Sequence, residues 1–349
     1  MECNQTTGQF DTRVLDALGG YMAIASVLGM IGNALVVAAW ITHRKLRAPS
    51  NAFLINLAIS DFSMLCTSGM LTSVALLMHC WPFSYVVCQF CGFFAYTTGL
   101  ASLATHFFIA ASRCELIVHK SKVLAICSPV KVIPAIWVFA LFWSTCPLIG
   151  WSGYARNQLT CEIEWDKPTP AYLAYIVCIF ILVFVGPFMG MIICYILIVL
   201  EVVKSKRTVH GTLRQSKIIK PGDIRLVKMM LMMAIAFMTC WVPYAVVSFM
   251  KAFNLRDDSH MYYLANVLPP VFAKSSALAN FIIYIMTNKN FRAALYNMFR
   301  GQCAESRPGL DFSSSTIPAG TPLSLSIEIQ RRRIDLNQDG QDPTAGAAM

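Results

Sequence analysis

The chain has 349 residues, 56% of them hydrophobic and only 13% charged. So apolar a composition excludes a soluble globular domain and a disordered polymer, and points to an integral membrane protein. The formal net charge of +10 implies no nucleic acid, because the basic residues collect in a few short loops that suit anionic lipid and a cytosolic partner.

Seven apolar stretches, about 19–42, 52–79, 86–112, 132–150, 171–200, 226–250 and 261–286, are long enough to cross a bilayer. The expected fold is therefore an all-α membrane protein, a seven-transmembrane helix bundle over 19–287 following an extracellular N-terminus over 1–18. MECNQTTGQF lacks a basic start and an apolar centre, so the first span is expected to act as its own signal anchor. Asn4 opens a glycosylation sequon, Asn4-Gln5-Thr6. The loops HRKLR (43–47), HKSK (119–122) and KSKRTVHGTLRQSKIIK (204–220) are basic, whereas the opposite loops hold only Arg156, Lys167 and Arg256. Positive residues stay inside, so a multi-pass protein of the cell membrane with its N-terminus outside and its tail in the cytoplasm is expected. Pro134 and Pro147 fall in the fourth span, and Pro187, Pro243, Pro269 and Pro270 in later ones, where they kink the axis.

In the outer loop 150–170 the alternation TCEIEW suits a short strand lying over the bundle. Cys88 opens the third span at its outer end and Cys161 lies in that loop. Both face an oxidising compartment and suit a disulfide, with Cys80, Cys91 and Cys3 as competing partners. After the last span, residues 288–303 read as an amphipathic surface helix, with Phe291, Leu295 and Phe299 on one face and Lys289 and Arg292 nearer the other. Cys303 beyond it is either a palmitoylation site or a free thiol. Residues 304–349 read as a disordered cytoplasmic tail, in which Ser313, Ser314, Ser315 and Thr316 are candidate phosphate acceptors.

The most informative residue is Lys274. It lies roughly 15–20 Å along its helix from either end, near the bilayer centre. A charged amine there costs at least ~2.5–3.5 kcal/mol. Apolar surroundings favour the neutral form of an amine, which condenses readily with an aldehyde to a Schiff base. Lys251, near a helix end, fits the ordinary alternative of a lysine that extends to the interface.

Other polar residues occur one per span: Asn33, Asp61, Arg113, Trp241 before Pro243, and Asn280 before Tyr284. Intramembrane polar groups usually face the bundle interior. The set GNALV, NLAISD, SRC, CWVPY and NFIIY, in that order, resembles the rhodopsin-like G-protein-coupled receptors over about residues 20–300. FAKSS around Lys274, before NFIIY, resembles opsins, and GWSGY…TCEIEW with LPPVFAKSS looks most like the neuropsin, peropsin and retinal-G-protein-coupled-receptor branch. The resemblance implies retinal bound covalently at Lys274, with Trp241, Tyr244, Tyr96 and Gly99 lining its pocket. It also implies a Cys88–Cys161 disulfide pinning the outer loop as a lid, and activation through Arg113, Asp61, Asn280 and Tyr284. A heterotrimeric G protein and, through the phosphorylated tail, arrestin are the implied partners, besides the lipid bilayer.

Three departures qualify the resemblance. Many opsins place a glutamate three positions after the residue matching Cys88; here Cys91 stands there, and Ala155–Arg156–Asn157 supplies no acid at a second site. An unpartnered cation in low dielectric loses its proton. A near-ultraviolet pigment with an unprotonated Schiff base is expected, ahead of Glu162 as a surrogate counterion or a bound anion. Ser112 replaces the acid before Arg113, leaving Asp223 as that arginine's remaining family partner or simply as a helix cap. Phe281 replaces the proline of NPxxY, which removes a kink. These last two changes lie on the activation machinery. They favour a rival reading, a retinal photoisomerase with little or no G-protein coupling, while the retained network favours a light-activated receptor. A light-driven pump needs carboxylates near the Schiff base, which these spans lack.

Overall fold

The computed structural model describes residues 11–48, 51–119, 128–157, 159–165, 169–209, 219, 221–253 and 260–300. Asn4, Cys303, the phosphate-acceptor cluster and the tail lie outside the described residues, as does most of the basic segment 204–220. Among the described residues, seven helices are long and apolar enough to cross a membrane, matching the expected count. They are α1 (Thr12–Thr42), α2 (Ala52–Leu77), α3 (Tyr85–Ile117), α4 (Pro129–Thr145), α5 (Pro170–Ser205), α6 (Pro221–Ala252) and α7 (His260–Thr287). A surface helix, α8 (Lys289–Phe299), follows. In hydrocarbon a helix is the form that satisfies every backbone N–H and C=O within its own segment.

Each helix is apolar on both faces, so what separates the faces is polarity inside and bulk outside. In α1, Ile24, Leu28 and Ile31 are more than half exposed, while Met22, Ser26, Gly29 and Asn33 are buried. Asn33 donates through Nδ2 to the carbonyls of Gly29 (2.9 Å) and Ala277 (3.2 Å), stitching α1 to α7. Asn56 does the same elsewhere: its Nδ2 donates to Thr105 Oγ1 at 2.7 Å, and its Oδ1 accepts from Trp137 Nε1 at 2.8 Å. One α2 side chain thereby joins three helices, a use of polar groups suited to an interior without water.

Several details refine the expectation. α1 begins at Thr12, capped by Asp11, whose carboxylate accepts from the Arg13 amide at 2.9 Å. α2 contains a π turn at Leu65–Gly69 and α5 another at Ile179–Val185. α4 persists through Pro134 and closes in a 3-10 turn at Cys146–Ile149 that includes Pro147. α7 runs unbroken past Phe281, whose ring packs on α1 at Gly32. In α8, Phe291 and Leu295 are buried against the bundle, but Phe299 is 77% exposed. Ala294 is buried beside them, and Phe299 continues the four-residue spacing of Phe291 and Leu295. Asn288 caps α8 by accepting from the Phe291 amide at 3.1 Å.

The outer loop forms a hairpin of β1 (Tyr154–Asn157) and β2 (Thr160–Ile163), antiparallel, with Ala155 opposite Glu162 and Arg156 opposite Cys161. The alternation had suggested one strand; its partner reads YARN, without an alternating pattern. Cys88 and Cys161 are disulfide-bonded, with Cα atoms 5.4 Å apart. Cys91 is free and buried, and Cys80 belongs to another disulfide, so the choice among competing partners is resolved.

A Cβ on Gly32 would lie 2.3 Å from the Phe281 ring. Gly32→Ala is therefore expected to lower the thermal midpoint in detergent, corresponding to about 1–3 kcal/mol of overpacking. Phe281→Leu in the same chain should restore most of the loss, a coupling read by a double-mutant cycle.

Candidate functional site

Lys274 sits on α7 four residues after Pro270, 9% exposed. It opens into a cavity shared with Tyr96 and Gly92 of α3, Trp241 and Tyr244 of α6, and Tyr154, Glu162 and Ile163 of the hairpin. A second, almost wholly apolar cavity shares Tyr96, Trp241 and Tyr244 with the first. It extends between α3, α5 and α6 past Gly99, Ile176, Phe180, Phe184 and Phe249. Together they make an elongated space with an amine at one end and aromatic walls along its length, the surroundings that bind an extended apolar molecule with one reactive end.

Small residues create the room. A Cβ on Gly99 would fall 2.7 Å from the Trp241 ring, and one on Gly92 would fall 2.6 Å from the Tyr154 ring. Trp241 donates through Nε1 to Ser276 Oγ at 3.1 Å and meets Tyr244 edge-on, with centroids 6.0 Å apart. The hairpin roofs the cavity. Gln89 Nε2 donates to the Tyr154 carbonyl at 2.7 Å, and the Tyr154 hydroxyl donates to the Ser144 carbonyl at 2.8 Å. Burial in the lid holds that phenol protonated, well above the usual range.

Among the described residues Lys274 makes no ion pair within 4.0 Å; Cys91 and Glu162 are the ionisable groups that bear on it electrostatically. Glu162 instead reaches Lys251, whose Nζ lies 3.6 Å from its Oε1. The expectation that Lys251 extends to the interface is thus corrected: it is 6% exposed and turned inward under the lid. Sequence reasoning missed this because a lysine in the last helical turn has a cheap exit to water, and only the hairpin's position reveals the carboxylate that holds it.

A polar network lies deeper. Asp61 is fully buried; its Oδ1 accepts from Ser102 Oγ and its Oδ2 from Asn280 Nδ2, both at 2.9 Å. Asn33, Asp61, Asn280 and Tyr284 line a small cavity. His106, which the sequence did not single out, joins this network to the upper cavity. Its Nδ1 lies 2.9 Å from the Ser102 carbonyl, its ring stacks on Phe237 at 4.4 Å, and Phe237 stacks on Trp241 at 5.3 Å. The signal available was its place in α3 one turn after Ser102. At the far end Arg113 is 5% exposed, and its Nε donates to Met230 Sδ at 3.2 Å. Asp223, in the first turn of α6, acts on Arg113 electrostatically, yet among the described residues the two form no ion pair. Ser112 donates to the Ile109 carbonyl at 2.9 Å and leaves Arg113 alone. Tyr284 packs on Phe291 of α8 with centroids 4.6 Å apart.

The fold and the sequence have counterparts in known proteins. The chain belongs to the family "7 transmembrane receptor (rhodopsin family)", whose model matches residues 32–284. Within that family its relatives are opsins. The human visual pigment-like receptor peropsin is 27% identical over 91% of this chain and 96% of its own length. Human melanopsin is 29% identical over 93% of this chain and 72% of its own. The crystal structure of squid rhodopsin matches with a TM-score of 0.75 at 27% identity, covering 90% of this chain and 95% of that one.

Asp61→Ala leaves the Ser102 hydroxyl and the Asn280 amide without their acceptor. The expected result is a fall in thermal midpoint equivalent to about 1–3 kcal/mol for each orphaned group, measured by thermal unfolding of the protein in detergent.

Proposed function

We propose that this protein is a light-sensing G-protein-coupled receptor carrying retinal as a Schiff base on Lys274, absorbing in the near ultraviolet. The observation that carries the reading is a buried primary amine without an ion-pair partner among the described residues, at the end of an elongated aromatic-walled cavity. Retinal fits this donor set: an aldehyde condenses with the amine, and a polyene suits Tyr96, Gly99, Trp241 and Tyr244. The bound chromophore would supply light absorption and a light-driven change of shape. Everything else falls to the chain's own residues.

Trp241 forms the floor shared by both cavities, so it is the side chain placed to convert a change of shape there into movement of α6. Phe237 and His106 relay that movement by stacking to the Asp61–Asn280 network. Outward displacement of α6 would carry Met230 and Asp223 from Arg113 and open a cleft beside Tyr284 for a heterotrimeric G protein. In this orientation the hairpin and the N-terminus face outside, and the basic segments and α8 face the cytoplasm and its anionic lipid. Arrestin would bind the phosphorylated tail. The near-ultraviolet assignment follows from Cys91 standing where a counterion is expected.

A second reading, a retinal photoisomerase that couples weakly or not at all, draws on one observation: Arg113 has no ion pair among the described residues to hold a resting state. Retinal isomers extracted before and after illumination, together with light-dependent nucleotide exchange on a G-protein panel, separate the two. Exchange identifies the receptor; a cis product without exchange identifies the isomerase.

Lys274→Ala is expected to abolish the near-ultraviolet band and the retinyl adduct trapped by borohydride, with thermal stability retained. A retinyl adduct persisting in that variant, or none in the unsubstituted protein, would refute the assignment.

A further inference from the structure

The pair between Glu162 and Lys251 is not required by anything described so far. Lys251 lies in the last turn of α6, and its side chain and that of Glu162 are 7% and 9% exposed. A lysine there ordinarily lays its stem along the helix and leaves its amine in water. This one is turned under the lid onto a carboxylate whose backbone is fixed on both sides. Cys161, the preceding residue, is tied to α3 by the disulfide, and Ala155 pairs across the hairpin. Among the described residues Glu162 is also the one carboxylate lining the cavity into which Lys274 opens. One acid therefore stands between two amines. Among the described residues, Tyr244 of α6 also interacts with Glu162, and Cys91 of α3 with Lys274.

We propose that Lys251 is a spectral-tuning residue: by engaging Glu162 in the lid it withholds that carboxylate from the Lys274 nitrogen and keeps the Schiff base unprotonated. The inference rests on retinal being bound at Lys274. A carboxylate already neutralised by one buried cation offers little to a second, and a second positive charge beside Lys251 is opposed by repulsion in low dielectric. Removing the lysine's charge takes from buried Glu162 the cation that engages it, which is unfavourable. A proton taken from bulk water onto the Schiff-base nitrogen restores neutrality, with the carbon–nitrogen double bond intact. Lys251 touches neither the chromophore nor the reacting nitrogen, so it acts as a positioning residue through Glu162.

The test uses the full-length protein reconstituted with retinal, with borohydride trapping to establish adduct formation in every sample. Lys251→Met is expected to move the dark maximum from the near ultraviolet into the visible and to raise the pH midpoint of the visible band by about 1–3 units. Lys251→Gln, which retains a donor for the carboxylate without the charge, should move it in the same direction and serves if Met is not tolerated. Lys251→Arg should remain in the near ultraviolet, and adding Glu162→Gln to Lys251→Met should return the band there. In retinal-free protein, thermal midpoints of Lys251→Met, Glu162→Gln and the double variant should show coupling between the two positions. A trapped adduct with a near-ultraviolet band in both Lys251→Met and Lys251→Gln overturns the inference, as does a visible band that survives Glu162→Gln or an absence of coupling. No adduct, or a visible band in the unsubstituted protein, instead overturns the function proposed above.

Discussion

The bond between Cys88 and Cys161 organises the outer half of this molecule. It anchors the hairpin to the first turn of α3, and every element of the roof takes its place from that anchor. Glu162 follows the bonded cysteine directly, so its carboxylate is delivered over the Lys274 cavity by covalent geometry rather than by weak contacts. Tyr154, opposite Ile163, is brought down onto Gly92 and across to the Ser144 carbonyl, so that the lid spans α3 and α4. With the chain closed into a loop, few backbone conformations remain for the lid to lose on ordering.

The inner half obeys a different rule. There single polar side chains bridge more than one helix, as in Asp61 with Ser102 and Asn280, or Asn56 with Thr105 and Trp137. A bundle in hydrocarbon gains little from burying apolar side chains that lipid would cover equally well, so such pairs and the close approach of small residues select its register. The two halves meet in the Trp241–Phe237–His106 stack. Its upper ring borders the cavity and its lower ring belongs to the polar network.

Much of this was legible in the chain itself. The spans are long uninterrupted apolar runs, and Lys274 is conspicuous because charge is so rare within them. The cysteines allowed several pairings, and the hairpin's position selects one. What escaped reading depended on long-range proximity. Lys251 looks like an interfacial lysine until the lid places Glu162 beside it, and His106 looks like an incidental polar residue until Phe237 stacks on it. Phe281 reads as the loss of a proline, whereas in the bundle it fills the space that Gly32 leaves in α1.

The wide turn at Ile179–Val185 has a consequence for the length of α5. A π turn holds one residue more than the regular ladder needs, and a helix advances by about 100° for each residue. The surplus residue is taken up within the wide turn, whereas adding or removing one in the regular winding on its lid side would rotate that segment by roughly that angle. Tyr175 would then swing from the Trp143 carbonyl it now donates to, and Ile176 would leave the cavity wall. The number of residues in α5, and not only their character, is thus fixed by the chamber it encloses.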